Sequence, residues 1–68
     1  MTVNYNKLWK LLIDKSMLKK DLRAAAKITT NAMAKMGRNE NVSTEVLCKI
    51  CQVLECKLED IMEIVDKP

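Results

Sequence analysis

The spacing of apolar and polar positions divides the chain into five predicted helices. From Tyr5 to Lys15, the residues Tyr5, Leu8, Trp9, Leu12 and Ile13 share one face, and Lys7, Lys10 and Asp14 lie opposite. Steps of three and four residues mark an amphipathic helix, with Trp9 expected to anchor its apolar side in the core. Ser16-Met17 is the first joint. Leu18, Leu22, Ala25 and Ala26 then define a second helix, over Leu18 to Ala26, and its three consecutive alanines invite close approach of another backbone. Lys27-Ile28-Thr29 forms a three-residue joint. Stepping 100° per residue from Thr30 to Met36 places Ala32, Met33 and Met36 on one side of a third helix. Thr30, Asn31, Ala34, Lys35 and Arg38 fall on the other.

Residues 37–42 read as the longest loop, with Gly37 expected to supply a positive φ at the helix end. Ser43 caps a fourth helix whose apolar stripe is Val46, Leu47, Ile50, Cys51 and Leu54, and Glu45 in its first turn suits the helix dipole. After a break at 55–57, Glu59 and Asp60 open a predicted fifth helix with Leu58, Ile61, Met62 and Val65 on one face. Residues 1–4 read as a loose end and residues 66–68 as a tail. Sixty-eight residues with one Gly and one Pro make one domain, residues 1–68, of all-α class. A core this small lies near the stability limit, which dimerisation would ease.

Two short helices across a tight joint, the second capped by the Thr29 hydroxyl, form a helix-turn-helix. An ordinary helical hairpin in a small bundle has the same spacing. The outward side of the third helix carries an amide, a hydroxyl, a small gap and two cations, an inventory suited to a groove of DNA. Charge supports this. The net charge is only +3, yet residues 1–38 hold nine Lys/Arg against two Asp/Glu, and residues 39–68 hold three against seven. The basic half contains the two-helix unit, as expected of a nucleic-acid surface.

Other chemistries find little in the chain. No histidine is present, so neither a Ser-His nor a Cys-His nucleophile can form. There is no glycine-rich phosphate loop, and an enzyme is not expected. Cys48, Cys51 and Cys56 are three thiols without a fourth ligand, short of a structural zinc site. They read as small core hydrophobes, and a thiol redox sensor would require an exposed, acidic thiol. Met33 and Met36 read as core, Met17 and Met62 as core edges. No cofactor, metal or small-molecule ligand is expected. Without a membrane-length apolar run or a signal-peptide core, the expected location is the cytoplasm.

The segments LWKLLIDKSMLKKDLRAAAKITTNAMAKMGRNENVSTEVLCKICQVLEC, ITTNAMAKM and LCKICQVLECKLEDIMEIV resemble the Cro/C1-type (phage-repressor-like, XRE) helix-turn-helix regulators, from about Leu8 to Val65. The last of these resembles the closing helices of a subgroup of very short members. The resemblance implies a lambda-repressor-like DNA-binding domain, a five-helix bundle that binds double-stranded DNA as a homodimer and regulates transcription. It places the cap on Thr29 and base reading on Thr30, Asn31 and Lys35, with Ala34 facing the groove. Phosphate contacts fall on Lys19, Arg38, Asn39 and Asn41, and the cations and hydroxyl beside them add Lys20 and Thr29. Many members have Ala at the position of Arg23 and Gly at that of Lys27. Arg23 therefore implies a more open helix contact or an exposed position, and Lys27 a strained positive φ or another joint geometry. The alternative function is a protein-interaction module, a co-regulator or antitoxin-like subunit on the same bundle. It would show a contiguous apolar patch instead of an exposed polar third helix.

Overall fold

The computed structural model describes residues 2–66. Four helices carry the core: α1 (Asn6–Asp14), α2 (Lys19–Ala26), α3 (Thr30–Gly37) and α4 (Thr44–Leu54). A strand precedes them, β1 (Thr2–Asn4), and a 3-10 turn (Leu58–Asp60) and a second strand, β2 (Glu63–Val65), follow. The fold is a mainly helical helix-turn-helix domain with a two-stranded ribbon. The predicted helix starts and joints agree closely with the observed ones, and the starts of α2, α3 and α4 each carry a side-chain hydrogen bond. The Thr29 hydroxyl accepts from the Ala32 N–H at 3.0 Å, and the Ser43 hydroxyl accepts from the Val46 N–H at 3.3 Å. At α2 the Asp21 carboxylate accepts from the Leu18 N–H at 3.0 Å. Such bonds satisfy first-turn amides that have no partner inside the helix.

The fifth helix is not formed, and residues 2–4 are not loose; Met1 and residues 67–68 of the predicted tail lie outside the described residues. The Asp60 carboxylate accepts from the Lys57 N–H at 3.0 Å and closes one tight turn. Ile61 then drops fully into the core, and the chain straightens into β2. β2 pairs antiparallel with β1, placing Thr2 opposite Val65, Val3 opposite Ile64 and Asn4 opposite Glu63. Leu58, Ile61, Met62 and Val65 satisfy a helical spacing by coincidence. The β-branched pairs Ile64-Val65 and Thr2-Val3 favour a pleated surface instead, and each strand is too short to display alternation on its own.

The core joins Tyr5, Leu8 and Leu12 to Leu22 and Ala26 of α2, Met36 of α3, Leu47, Ile50 and Leu54 of α4, and Ile28 and Ile61 from the connections. Several expected core residues face outward. Ile13 is 74% exposed, Leu18 is the exposed N-cap residue of α2, and Ala24 and Ala25 are exposed, so one alanine of the three, Ala26, meets its neighbours. Trp9 is half-buried rather than fully enclosed. Each helix is followed by a left-handed residue, Ser16, Lys27, Asn39 and Glu55, with φ between 53° and 58°. The left-handed residue after α3 is thus Asn39, and Gly37 adopts no positive φ. Asn tolerates that region better than most residues. Lys27, at φ 56° and ψ 44°, accepts the strain implied by its replacement of glycine. No helix among the described residues is long and apolar enough to cross a membrane.

Candidate nucleic-acid interface

The cap at Thr29 fixes the rotation of α3. Ala32 and Met36 are buried, Met33 is half-buried, and Thr30, Asn31 and Ala34 stand exposed with Lys35 half-buried beside them. Of the outward set predicted from helical stepping, Thr30, Asn31, Ala34 and Arg38 are exposed and Lys35 is half-buried. The Thr29 hydroxyl is engaged as an acceptor but keeps its own O–H to donate.

The N-terminal end of α2 borders the same surface. Lys19 and Lys20 line one open groove with Arg23, Thr30, Met33, Ala34 and Gly37. Lys19 is held there by Trp9: its Nζ lies 4.3 Å from the centroid of the indole ring, a cation–π contact. Trp9 thus positions a cation at the edge of this groove, a role that its spacing on α1 did not disclose. Arg23, expected to mark a more open helix contact or an exposed position, lines the groove half-buried.

The loop after α3 behaves differently. Arg38 is not a free cation: its Nε donates to Glu40 Oε2 at 2.8 Å and its Nη2 to Glu40 Oε1 at 3.3 Å. This two-point pair holds the Glu40 carboxyl below its ordinary pKa, mainly through the Arg38 hydrogen bond, and raises that of Arg38 in turn. Sequence reasoning missed Glu40; its two-residue offset from Arg38 was the available signal. The loop is tied down from beneath, where the buried Tyr5 hydroxyl donates to the Glu40 carbonyl at 2.8 Å. Burial raises the Tyr5 pKa, and a backbone hydrogen bond from Val42 opposes that rise. Asn39 and Asn41 line a second groove with Thr2, Val3, Glu40 and Ile64. The predicted phosphate residues therefore divide into a group beside α2 and a group beside the ribbon.

The thiols form no obvious metal centre. No group of three His, Cys, Asp or Glu among the described residues could hold a metal ion. Cys51 and Cys56 are half-buried, as small core hydrophobes should be, whereas Cys48 is exposed. The exposed position follows from its place one residue beyond the buried Leu47 on α4. The Cys56 N–H donates to the Cys51 carbonyl at 3.1 Å across the left-handed Glu55. Burial pushes the Cys56 thiol up to about 11 and also raises Cys51, the opposite of what a reactive thiol needs.

Comparison with known proteins adds a family match and a structural one. Residues 7–67 match the model of the Cro/C1-type helix-turn-helix DNA-binding domain. The crystal structure of the transcriptional regulator VanUg superposes with a TM-score of 0.94 at 50% sequence identity, covering 97% of this chain and 88% of that one. The sequence's own likeness to the small regulator of vancomycin-resistance gene clusters agrees with this neighbour. No curated protein matches the chain.

Proposed function

The chain belongs to the Cro/C1-type helix-turn-helix DNA-binding family, and from that premise, with the similar VanUg a transcriptional regulator, we propose that it is a sequence-specific transcriptional regulator. The observation that carries this reading is the face of α3. Thr30, Asn31 and Ala34 are exposed beside Lys35 on a helix whose opposite side is locked into the core. In this reading α3 enters the major groove. Asn31 pairs with adenine N6 and N7, and Lys35 donates to guanine O6 or N7. Ala34 leaves room for a thymine methyl, and Thr30 meets a methyl or a phosphate. Lys19, Lys20 and the free O–H of Thr29 fix register on one strand through phosphates. Arg38, Asn39 and Asn41 do the same from the loop, with Arg38 exchanging Glu40 for a phosphate.

The protein works in the cytoplasm as a homodimer that reads two half-sites about 10 bp apart, one helical turn. The exposed Leu58 and Ile64, with half-buried Met62, supply an apolar face for the second subunit. Neither cofactor nor small ligand enters the mechanism, so abundance or a partner protein sets activity.

The test is fluorescence anisotropy on labelled duplexes, first of mixed sequence and then of a selected operator. Binding should weaken with a log–log salt slope near −4 to −6, about five or six neutralised phosphates. Asn31→Ala should lose roughly 1–3 kcal/mol at the operator and little elsewhere. An unchanged ratio of operator to scrambled affinity would remove Asn31 from base reading.

A further inference from the structure

Arg23 is a cation that no reading of α3 uses. It lines one open groove of about 390 Å³ with Lys19, Lys20, Thr30, Ala34 and Gly37. Three cations and no carboxylate border that groove. Such a balance is electrostatically complementary to a row of phosphates. The balance is local, not a general property of this basic chain. Lys7, Lys10 and Lys15 line a different groove, where four carboxylates stand among them.

The groove is also kept open. Ala34 offers it a single methyl and Gly37 nothing. Gly37 adopts no left-handed conformation, and a Cβ built on it meets nothing within 4 Å. Neither the backbone nor internal packing asks for glycine there, although glycine is a poor helix former. The missing side chain leaves more of the groove that Arg23 also lines open.

We propose that this groove seats one phosphodiester strand of the bound duplex, and that Arg23 contacts it alongside Lys19 and Lys20. The proposal rests on the DNA-binding reading above and deepens it with a contact outside α3. The guanidinium suits the task because its planar fork can donate to two phosphate oxygens at once. A phosphate contact of this kind holds the duplex in register without reading a base.

Wild-type chain, Arg23→Ala, Arg23→Lys, Lys19→Ala, Lys10→Ala and Gly37→Gln are compared on a labelled mixed-sequence duplex between about 50 and 200 mM salt. Circular dichroism first establishes equal helix content. Arg23→Ala should weaken binding to all sequences alike and reduce the steepness of the salt slope by about one. Arg23→Lys should keep the slope, and Lys10→Ala should leave slope and affinity near wild type. Gly37→Gln, which fills the groove without removing a charge, should weaken binding at a preserved fold, and it carries the test if Arg23→Ala does not fold. Wild-type affinity and slope in Arg23→Ala, with both reduced in Lys19→Ala, would overturn the Arg23 contact and leave the DNA reading standing. Wild-type affinity in Gly37→Gln would take the strand out of the groove. A wild-type chain that binds no duplex at the lowest salt would overturn both readings.

Discussion

Glu40 places a negative charge beside the cations that would meet DNA. Its carboxylate occupies both donors that Arg38 turns toward it, and Lys35 adds a weaker attraction. The pair lies in solvent, where an ion pair contributes little to stability. Its consequence falls on binding. A phosphate that recruits Arg38 must displace Glu40, and the displaced carboxylate stays near the phosphate row and opposes it. Glu40→Gln removes that opposition while keeping the shape of the side chain. The expected result is tighter binding to any duplex at low salt, because Arg38 no longer has to leave a carboxylate to meet its phosphate. Anisotropy titrations of the two proteins check this, and an unchanged affinity would show that Glu40 does not oppose the phosphate row.

At the scale of elements, the ends of the chain carry the main departure from the periodic pattern. A fifth helix would bury Leu58 and Ile61 together, since they are three residues apart. The ribbon separates them: Ile61 is 0% exposed and Leu58 is 47% exposed. Ile61→Ala should therefore cost about 2–5 kcal/mol, enough to unfold much of a domain this small, and Leu58→Ala should cost far less. Urea denaturation of the two variants separates the architectures, because similar large losses would restore the helix. The four real helices were legible because each carries a signal within its own few residues: Thr29 and Ser43 as caps, and Leu22 with Ala26, or Leu47 with Ile50 and Leu54, as one face. The ribbon was not legible, because its pairing joins Thr2 to Val65 from opposite ends of the chain and three residues show no period. Within the interface, the outward face of α3 followed from helical stepping alone. The roles of Trp9 and Glu40 did not, since the indole under Lys19 and the carboxylate on Arg38 depend on where side chains meet in space.

At the scale of the molecule, the ribbon and the turn before it leave apolar surface uncovered. Ile64 is 67% exposed beside Leu58, and the half-buried Met62 lies between them in one open groove. A two-stranded ribbon is marginal by itself, and the proposed homodimer would cover this exposed apolar surface. The rim carries Lys57 together with Glu59 and Glu63, so two copies related by a two-fold axis can set the lysine of one against a glutamate of the other. That self-complementarity is what a symmetric dimer requires. It also serves recognition, because a dimer doubles the phosphates and bases contacted by a domain with one short reading helix. The chain should sediment as a dimer at concentrations on the order of tens of micromolar, the range in which a weak interface closes. Ile64→Lys puts a charge at an exposed ribbon position, where the fold tolerates it and an apolar interface does not. The variant should sediment as a monomer with unchanged circular dichroism, and it should bind a two-half-site operator more weakly than the wild-type chain. A wild-type protein that remains monomeric throughout this range would remove the symmetric dimer and the paired half-sites together, leaving a single α3 to provide all base reading.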